Sequence, residues 1–246
     1  MGKIITIASG KGGTGKTTSA AAVSSCLAVL GYRTLCIDFD VGLKKLDLSL
    51  CMSDFTVTDF YDVISSGMEL MRACNESPQI PGLFFLSAPS ECDFDTLDSV
   101  ALQPMFKEIR REFDYCIIDA PSGIGVGFRL AHTCADMSII VTTGELPAMR
   151  DAQRTASLVR DMGITDLRLL VNRVSKRNFK QIATTVDDVI DMVSVRLIGI
   201  VPEDRSVFLS LHKNIPLILY KRRRAAFDFL DVARRITGED VPLRQR

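Results

Sequence analysis

Short runs of nearly continuous apolar residues alternate along the chain with longer segments that carry apolar residues at helical spacing. The short runs have the length and composition of β-strands. Because they are apolar throughout rather than at alternate positions, we expect both faces of each strand to be covered, as in a parallel sheet. The predicted strands are 3–9, 34–39, 83–88, 114–119, 136–142, 167–173 and 195–201.

The segments between the predicted strands indicate helices. In one of them, apolar residues recur every three or four positions from Phe179 to Val193, which predicts one helix with a single apolar stripe. The predicted helices are 16–30, roughly 96–112, 124–134, 148–162, 178–193 and 223–237. Strands that alternate with helices predict an α/β fold, a doubly wound and mostly parallel sheet of about seven to eight strands with helices on both faces. Ligands of such sheets bind at the carboxyl ends of the strands.

Composition narrows the class of protein. The chain has 246 residues, which we expect to form a single domain over residues 1–246. Lysine plus arginine balance aspartate plus glutamate at 30 each, so the chain as a whole does not match the charge of nucleic acid or anionic lipid. The seven cysteines form no CxC or CxxC pair, which is typical of small buried side chains in a reducing cytosol. No signal peptide precedes the first strand, so we expect a cytoplasmic protein.

The most specific motif lies after the first predicted strand, in the stretch GKGGTGKTT. Gly10, Gly15, Lys16 and Thr17 fit the phosphate-loop pattern GxxxxGK[ST], and a strand and a helix flank it as that pattern requires. Backbone N–H groups of such a loop surround phosphate oxygens, the lysine reaches the β and γ phosphates, and the hydroxyl completes Mg²⁺ coordination. The expected nucleotide-binding residues of the loop are Gly10, Lys11, Gly12, Gly13, Thr14, Gly15, Lys16, Thr17 and Thr18.

Three aspartates at the ends of two other predicted strands complete the candidate site. Asp119 ends strand 114–119, where a carboxylate would hold Mg²⁺ through a water. Asp38 lies near the end of strand 34–39 and Asp40 follows it; we assign Asp40 to the attacking water and Asp38 to the metal side or to structural support. A helix cap for Asp119 and a surface turn for Asp40 are the structural alternatives.

These motifs resemble the ParA/MinD family of deviant Walker A P-loop ATPases. KGGTGKTT resembles the family's phosphate loop, and DFDVGLKKLDL and DAPSGIGVG resemble the first and second switches of its MinD branch. RDAQRT, LLVNRV, LIGIVPEDRSV and ARRITGEDVPL follow in the order of that branch, so the resemblance spans essentially the whole chain. It implies a P-loop NTPase fold of the SIMIBI-like type, with ATP and Mg²⁺ as ligands.

The resemblance also implies roles for individual residues. Lys11 would cross a nucleotide-sandwiched homodimer to the partner's phosphates, while Lys16 and Thr17 would act within their own subunit. Asp40 would position water. Asn172 resembles the family's adenine-contacting asparagine, and an amide can read both the donor and the acceptor of an adenine edge. Asn172 as an ordinary strand-end residue stays open as the alternative. The loop from Pro202 to Asp204 resembles the family's base-lining loop.

The function implied is a slow, dimer-dependent ATPase that switches a spatial regulator, such as a MinC- or MinE-like partner, in division-site placement. Three alternative functions stay open: ParA-type DNA partition, flagellar positioning, and a partner-recruited relative that acts on another client protein. The balanced charge of the chain speaks against DNA binding. Iron–sulfur and nickel relatives would need paired cysteines. The last residues, EDVPLRQR, carry no apolar face, so direct membrane binding is not expected, and peripheral association would need a partner. The basic run Lys221–Arg224 most resembles a solvated helix face.

Overall fold

The computed structural model describes residues 1–41, 45–53, 58–89, 94, 97, 99–182, 184–220 and 224–244, without the side chains of Lys176, Asn178 and Gln181. Part of the first-switch motif, Cys92 and most of the basic run before the last helix therefore lie outside the described residues.

An eight-stranded sheet forms the centre of the molecule, with the strand order β3-β4-β2-β5-β1-β6-β7-β8. Every neighbouring pair is parallel except β3 and β4, which are antiparallel. The predicted α/β fold with a mostly parallel sheet is confirmed, and all seven predicted strands are present. The strands are β1 (Lys3–Ala8), β2 (Thr34–Asp38), β3 (Asn75–Glu76), β4 (Leu83–Leu86), β5 (Tyr115–Asp119), β6 (Met137–Thr142), β7 (Asp166–Val174) and β8 (Leu197–Pro202).

Helices cover both faces of this sheet. In β1, Ile4 and Ala8 belong to one core cluster and Ile5 and Ile7 to the other, because successive side chains of a strand point to opposite faces. The doubly wound arrangement predicted from the apolar runs thus has two cores. The helices are α1 (Lys16–Val29), α2 (Leu46–Leu50), α3 (Phe60–Ser65), α4 (Leu70–Ala73), α5 (Ser99–Glu112), α6 (Val126–His132), α7 (Leu146–Asp161), α8 (Lys176–Gln181), α9 (Val186–Val193), α10 (Arg205–His212), α11 (Leu217–Tyr220) and α12 (Ala225–Ile236).

The single helix predicted over residues 178–193 is wrong, because the chain forms α8 and α9 in its place. A new helix start interrupts the segment: the Thr185 hydroxyl accepts a hydrogen bond from the N–H of Asp188, whose carboxylate accepts one from the N–H of Thr185. This capping box satisfies the first N–H groups of α9. Ile182, counted in the predicted stripe, is 49% exposed and lies between the two helices.

The buried cysteines and one buried histidine are structural. Six cysteines lie among the described residues as free thiols, and burial raises the pKa of Cys36 and Cys116 well above the usual range. The His132 ring contacts the Phe128 carbonyl and the Ser138 hydroxyl, and burial lowers its pKa to about 4. His132 is therefore a neutral core residue at physiological pH. None of the helices described is long and apolar enough to cross a bilayer.

Candidate functional site

The phosphate-loop residues Gly10–Thr18 occupy the connection from β1 to α1 and the first turn of α1. Gly13 and Gly15 adopt left-handed backbone conformations, with φ of 84° and 92°. At Gly15 a Cβ atom would also lie 2.2 Å from the amide nitrogen of Asn172, so a side chain there would meet both strain and a clash. The loop thus brings its N–H groups to the amino end of α1, where the helix dipole favours anions.

Lys16 forms a buried ion pair inside this loop. Its ammonium lies 2.7 Å from Asp119 Oδ1 at the end of β5, and the two side chains are 5% and 1% exposed. Burial raises the pKa of Asp119, which the Lys16 charge opposes. Removing either charge would leave the other buried without its partner. The structure thus brings together two of the predicted site residues, the phosphate-binding lysine and the second-switch aspartate.

Asp38 stands beside Asp119, because the last residues of β2 and β5 pair in register. Asp38 is 1% exposed, and burial together with the charge of Asp119 raises its pKa to about 7. Hydrogen bonds from the N–H groups of Asp40 (2.8 Å) and Leu46 (3.4 Å) oppose that rise. Two carboxyl groups thus adjoin each other at one edge of the sheet, as the sequence predicted.

Asp40 lies next to the pair formed by Asp38 and Asp119. Its side chain is half-buried, and its backbone N–H donates a hydrogen bond to the Asp38 carboxylate. The charge of Asp40 contributes to raising the pKa of Asp119. The carboxylate assigned to water is therefore near the acidic centre, held by a short turn rather than by a strand. The next residues of the first switch, 42–44, lie outside the described residues.

The chemistry of these donors fits Mg²⁺. Asp119 Oδ2 is buried without a hydrogen-bond partner of good geometry among the described residues. The half-buried Thr17 hydroxyl lies close enough to Asp119 to lower its pKa. No cluster of three or more His, Cys, Asp and Glu side chains suited to a metal occurs in the described ranges. A site with one or two carboxylates and a hydroxyl, completed by phosphates, is typical of Mg²⁺ and not of an all-protein metal cage.

Lys11, the second lysine of the loop, lies apart from the buried pair. Its ammonium contacts Glu145 Oε2 at 3.1 Å, and the two side chains are 39% and 66% exposed. Glu145 precedes α7 in the loop that follows β6. Glu145 was not predicted from the sequence, although its position after the carboxyl end of a central strand was a signal for it. Because the pair is exposed, it contributes little to stability.

Asn172 supports the phosphate loop from β7. Its amide nitrogen donates a 2.8 Å hydrogen bond to the Thr14 carbonyl, and its side chain is buried. The next residue, Arg173, was not predicted; its guanidinium donates to the Gly13 carbonyl at 3.1 Å and lies 3.7 Å from Glu203. Arg173 therefore connects the phosphate loop to the loop after β8, where Pro202 and Asp204 were predicted to line the base.

Pro202 ends β8, and Asp204 is the N-cap of α10. The Asp204 carboxylate accepts hydrogen bonds from the N–H groups of Ser206 (2.8 Å) and Ala225 (3.3 Å). These bonds join the start of α10 to the start of α12. The structure therefore gives Asp204 a helix-capping position, and its role toward a base stays a prediction.

The Asn172 contact leads to a test. We expect Asn172→Asp to weaken ATP binding by about tenfold or more, because it removes a hydrogen bond to a buried carbonyl and places a carboxylate against the phosphate loop. Asn172→Ala is the matched control; it removes the bond without adding charge and should lose less affinity. Calorimetric titration with ATP measures both variants. Wild-type affinity in Asn172→Asp would contradict the supporting role.

Comparison with known proteins places this site in a family. A family model described as the CobQ/CobB/MinD/ParA nucleotide binding domain matches residues 5–217. The septum site-determining protein MinD of Synechocystis sp. is 36% identical over 98% of this chain and 92% of its own length.

Solved structures agree with this assignment. A chain of the MinC:MinD cell division protein complex of Aquifex aeolicus is 32% identical and has a TM-score of 0.91, with 99% of this chain and 98% of that chain covered. MinD from Pyrococcus horikoshii, solved with Mg-ADP, is 27% identical with a TM-score of 0.82, covering 96% of each chain. The fold, the phosphate loop and the full-length similarity together show that the chain belongs to the MinD family of CobQ/CobB/MinD/ParA nucleotide-binding domains.

Proposed function

We propose that this protein is a MinD-like ATPase that dimerises when it binds ATP and hydrolyses ATP to switch a regulator in cell-division site placement. The observation that carries the proposal is the different placement of the two loop lysines. Lys16 is buried against Asp119, whereas the ammonium of Lys11 is at the surface in an exposed pair. A surface lysine at the phosphate loop has the freedom to reach the nucleotide of a second subunit.

The site residues have separate roles in hydrolysis, and one of them comes from the partner subunit. Loop N–H groups and Lys16 bind the phosphates, and Thr17, Asp38 and Asp119 would hold Mg²⁺. Bound Mg²⁺ would neutralise charge on the phosphate oxygens. Asp40 orients the attacking water or accepts its proton, and Lys11 of the partner stabilises charge that spreads over the transferred phosphoryl group. Since that second lysine arrives only with the dimer, turnover in the monomer is slow.

Nucleotide recognition extends beyond the phosphates. Asn172 and the loop from Pro202 to Asp204 line the adenine, in a position supported by the Arg173 bridge between that loop and the phosphate loop. One ATPase domain over residues 1–246 is supported by the central sheet, whose strands begin at Lys3 and end at Pro202, and by α12, which packs on β8.

The partner is a regulatory protein of the MinC or MinE kind. The similarity to the MinD chain of a MinC:MinD complex supports this proposal. The protein acts in the cytoplasm and reaches the membrane periphery through such a partner. The ATP-bound dimer would present the regulator with a surface that a monomer lacks. Hydrolysis would separate the subunits and so remove that surface.

Sedimentation velocity with Mg²⁺ and either ADP or a non-hydrolysable ATP analogue tests the proposal. We expect monomers with ADP and dimers with the analogue, and phosphate release that rises more steeply than in proportion to protein concentration. A monomer in both nucleotides with full turnover would refute the dimer mechanism. ATP-dependent retention on duplex DNA of any sequence would instead indicate a partition ATPase.

A further inference from the structure

A β-bulge lies near the carboxyl end of β7, beside the phosphate loop. Val171 pairs with Ile200 on β8, and the next pair joins Val174 to Pro202. Three steps along β7 therefore match two along β8, which is the mark of a bulge. Within this interval Arg173 has a φ of 55°, in the left-handed region that is unfavourable for a residue with a Cβ. Bulges near functional sites commonly redirect a side chain.

The bulge brings two successive side chains to the same loop. The Asn172 amide donates to the Thr14 carbonyl at 2.8 Å, and the Arg173 guanidinium donates to the Gly13 carbonyl at 3.1 Å. In a regular strand, successive side chains point to opposite faces, so only one of the two would reach the loop. The left-handed backbone of Arg173 therefore allows both bonds to form at once.

These two bonds fix the direction of two backbone N–H groups. In a planar trans peptide the N–H points opposite to the carbonyl. The Gly13 carbonyl shares its peptide with the N–H of Thr14, and the Thr14 carbonyl shares its peptide with the N–H of Gly15. Because both carbonyls are bonded to β7, both N–H groups point away from β7. In the described part of the chain neither N–H donates to a backbone carbonyl. N–H groups of a phosphate loop surround phosphate oxygens.

Glu203 holds the Arg173 guanidinium from the loop after β8. Its carboxylate lies 3.7 Å from the guanidinium, and its N–H donates to the Val174 carbonyl at 3.0 Å, directly after the bulge. The Arg173 and Glu203 side chains are 54% and 52% exposed, so their ion pair contributes little to the stability of the fold. An unfavourable backbone conformation that supports an exposed pair indicates a functional reason for both.

We propose that Arg173, held by Glu203, is a positioning residue that orients the Thr14 N–H toward the phosphates of the bound nucleotide. Fixing the peptide before the nucleotide arrives lowers the entropy cost of binding. The inference rests on the proposed function only in that the loop binds a nucleotide, and it requires neither a dimer nor hydrolysis. Asn172 orients the Gly15 N–H in the same manner.

Calorimetric titration of the full chain with Mg-ADP tests this role in the monomer. Arg173→Ala should weaken binding about tenfold, because a bond from a charged donor to the loop is lost. Arg173→Gly should weaken binding equally. It should nevertheless unfold at a higher temperature than Arg173→Ala, because glycine accepts the left-handed backbone. A loss of affinity that arose from general destabilisation would instead be larger in the less stable variant.

Glu203→Gln distinguishes positioning from simple attraction between a cation and the phosphates. If Arg173 acts by position, this variant should weaken Mg-ADP binding about threefold, because the guanidinium loses one of its two partners. It should then have no further effect in Arg173→Ala protein. If Arg173 acts by charge alone, removing the negative charge of Glu203 should strengthen binding in both proteins.

The matched control is Arg111→Ala. Arg111 is a 73% exposed arginine on α5 that also pairs with a glutamate, Glu112 at 3.0 Å, and its removal should leave Mg-ADP binding at the wild-type level. Unchanged affinity in Arg173→Ala, or tighter binding in Glu203→Gln, overturns the positioning role while wild-type binding still supports the nucleotide site. Wild-type protein that does not bind Mg-ADP would refute the proposed function itself, and the positioning role with it.

Discussion

Lys11→Ala lowers ATP turnover by about a thousandfold or more while ATP binding stays within a few-fold of wild type, if Lys11 acts across the dimer. The reason is the separation of the two lysines. Lys16 is buried at the phosphate loop, where we expect it to bind the nucleotide without Lys11, whereas Lys11 lies at the surface with Glu145. A cation that reaches the transferred phosphoryl group only in the dimer contributes to the transition state and little to binding in the monomer. Single-turnover phosphate release and calorimetric ATP titration measure the two effects separately.

Lys107→Ala is the matched control for Lys11→Ala. Lys107 is an exposed lysine on α5, away from the phosphate loop, and its removal should change neither turnover nor binding. A thousandfold loss in both lysine variants would indicate a general effect of charge or stability. Full turnover in Lys11→Ala would refute the assignment of Lys11.

A mixing experiment distinguishes action across the dimer from action within one subunit. Lys11→Ala protein is mixed with Asp40→Ala protein in ADP, and ATP is then added. If Lys11 acts on the partner's nucleotide, the subunit with intact Asp40 receives a lysine from its neighbour, and roughly a quarter of wild-type turnover returns in randomly paired dimers. If Lys11 acts within its own subunit, neither subunit has a complete site and turnover stays at the level of the single variants.

Sequence patterns predicted the central sheet and the phosphate loop because each depends on local features. A buried parallel strand requires a continuous apolar run, and a phosphate loop requires glycines and a lysine at fixed spacing. Asp38 and Asp119 were placed together for a similar reason, since the carboxyl ends of parallel strands meet at one edge of a sheet. β3, with two residues, has too short a pattern to detect.

Contacts between distant segments could not be predicted in the same way. The bond from Asn172 to Thr14 and the pair of Lys11 with Glu145 join residues more than a hundred positions apart. No periodicity or spacing encodes such pairs. The break between α8 and α9 was missed for another reason: the apolar stripe continues through it, and only the capping box formed by Thr185 and Asp188 marks the start of a second helix.

Asp40→Ala is expected to slow hydrolysis by about a hundredfold to ten-thousandfold while leaving an ATP-bound dimer intact, because it removes the group assigned to the attacking water. Asp40 lies next to the pair formed by Asp38 and Asp119. Its backbone N–H donates a hydrogen bond to the Asp38 carboxylate, and alanine at position 40 would retain that bond. The variant should therefore keep the arrangement of Asp38 and Asp119. Sedimentation velocity with ATP should show a dimer that persists, whereas wild-type protein returns to monomer as ATP is consumed.

Asp47→Ala is the matched control for this variant, since Asp47 lies in the same segment but in the first turn of α2, where its carboxylate contacts the N–H of Leu48. Its turnover should stay close to wild type. An Asp40→Ala protein that remains monomeric at saturating ATP would assign Asp40 to dimer assembly and not to water. A variant that hydrolyses ATP at the wild-type rate would show that a group other than Asp40 orients the attacking water. A persistent dimer with slow phosphate release is the result that separates the chemical step from assembly, because only the chemical step then depends on the carboxylate.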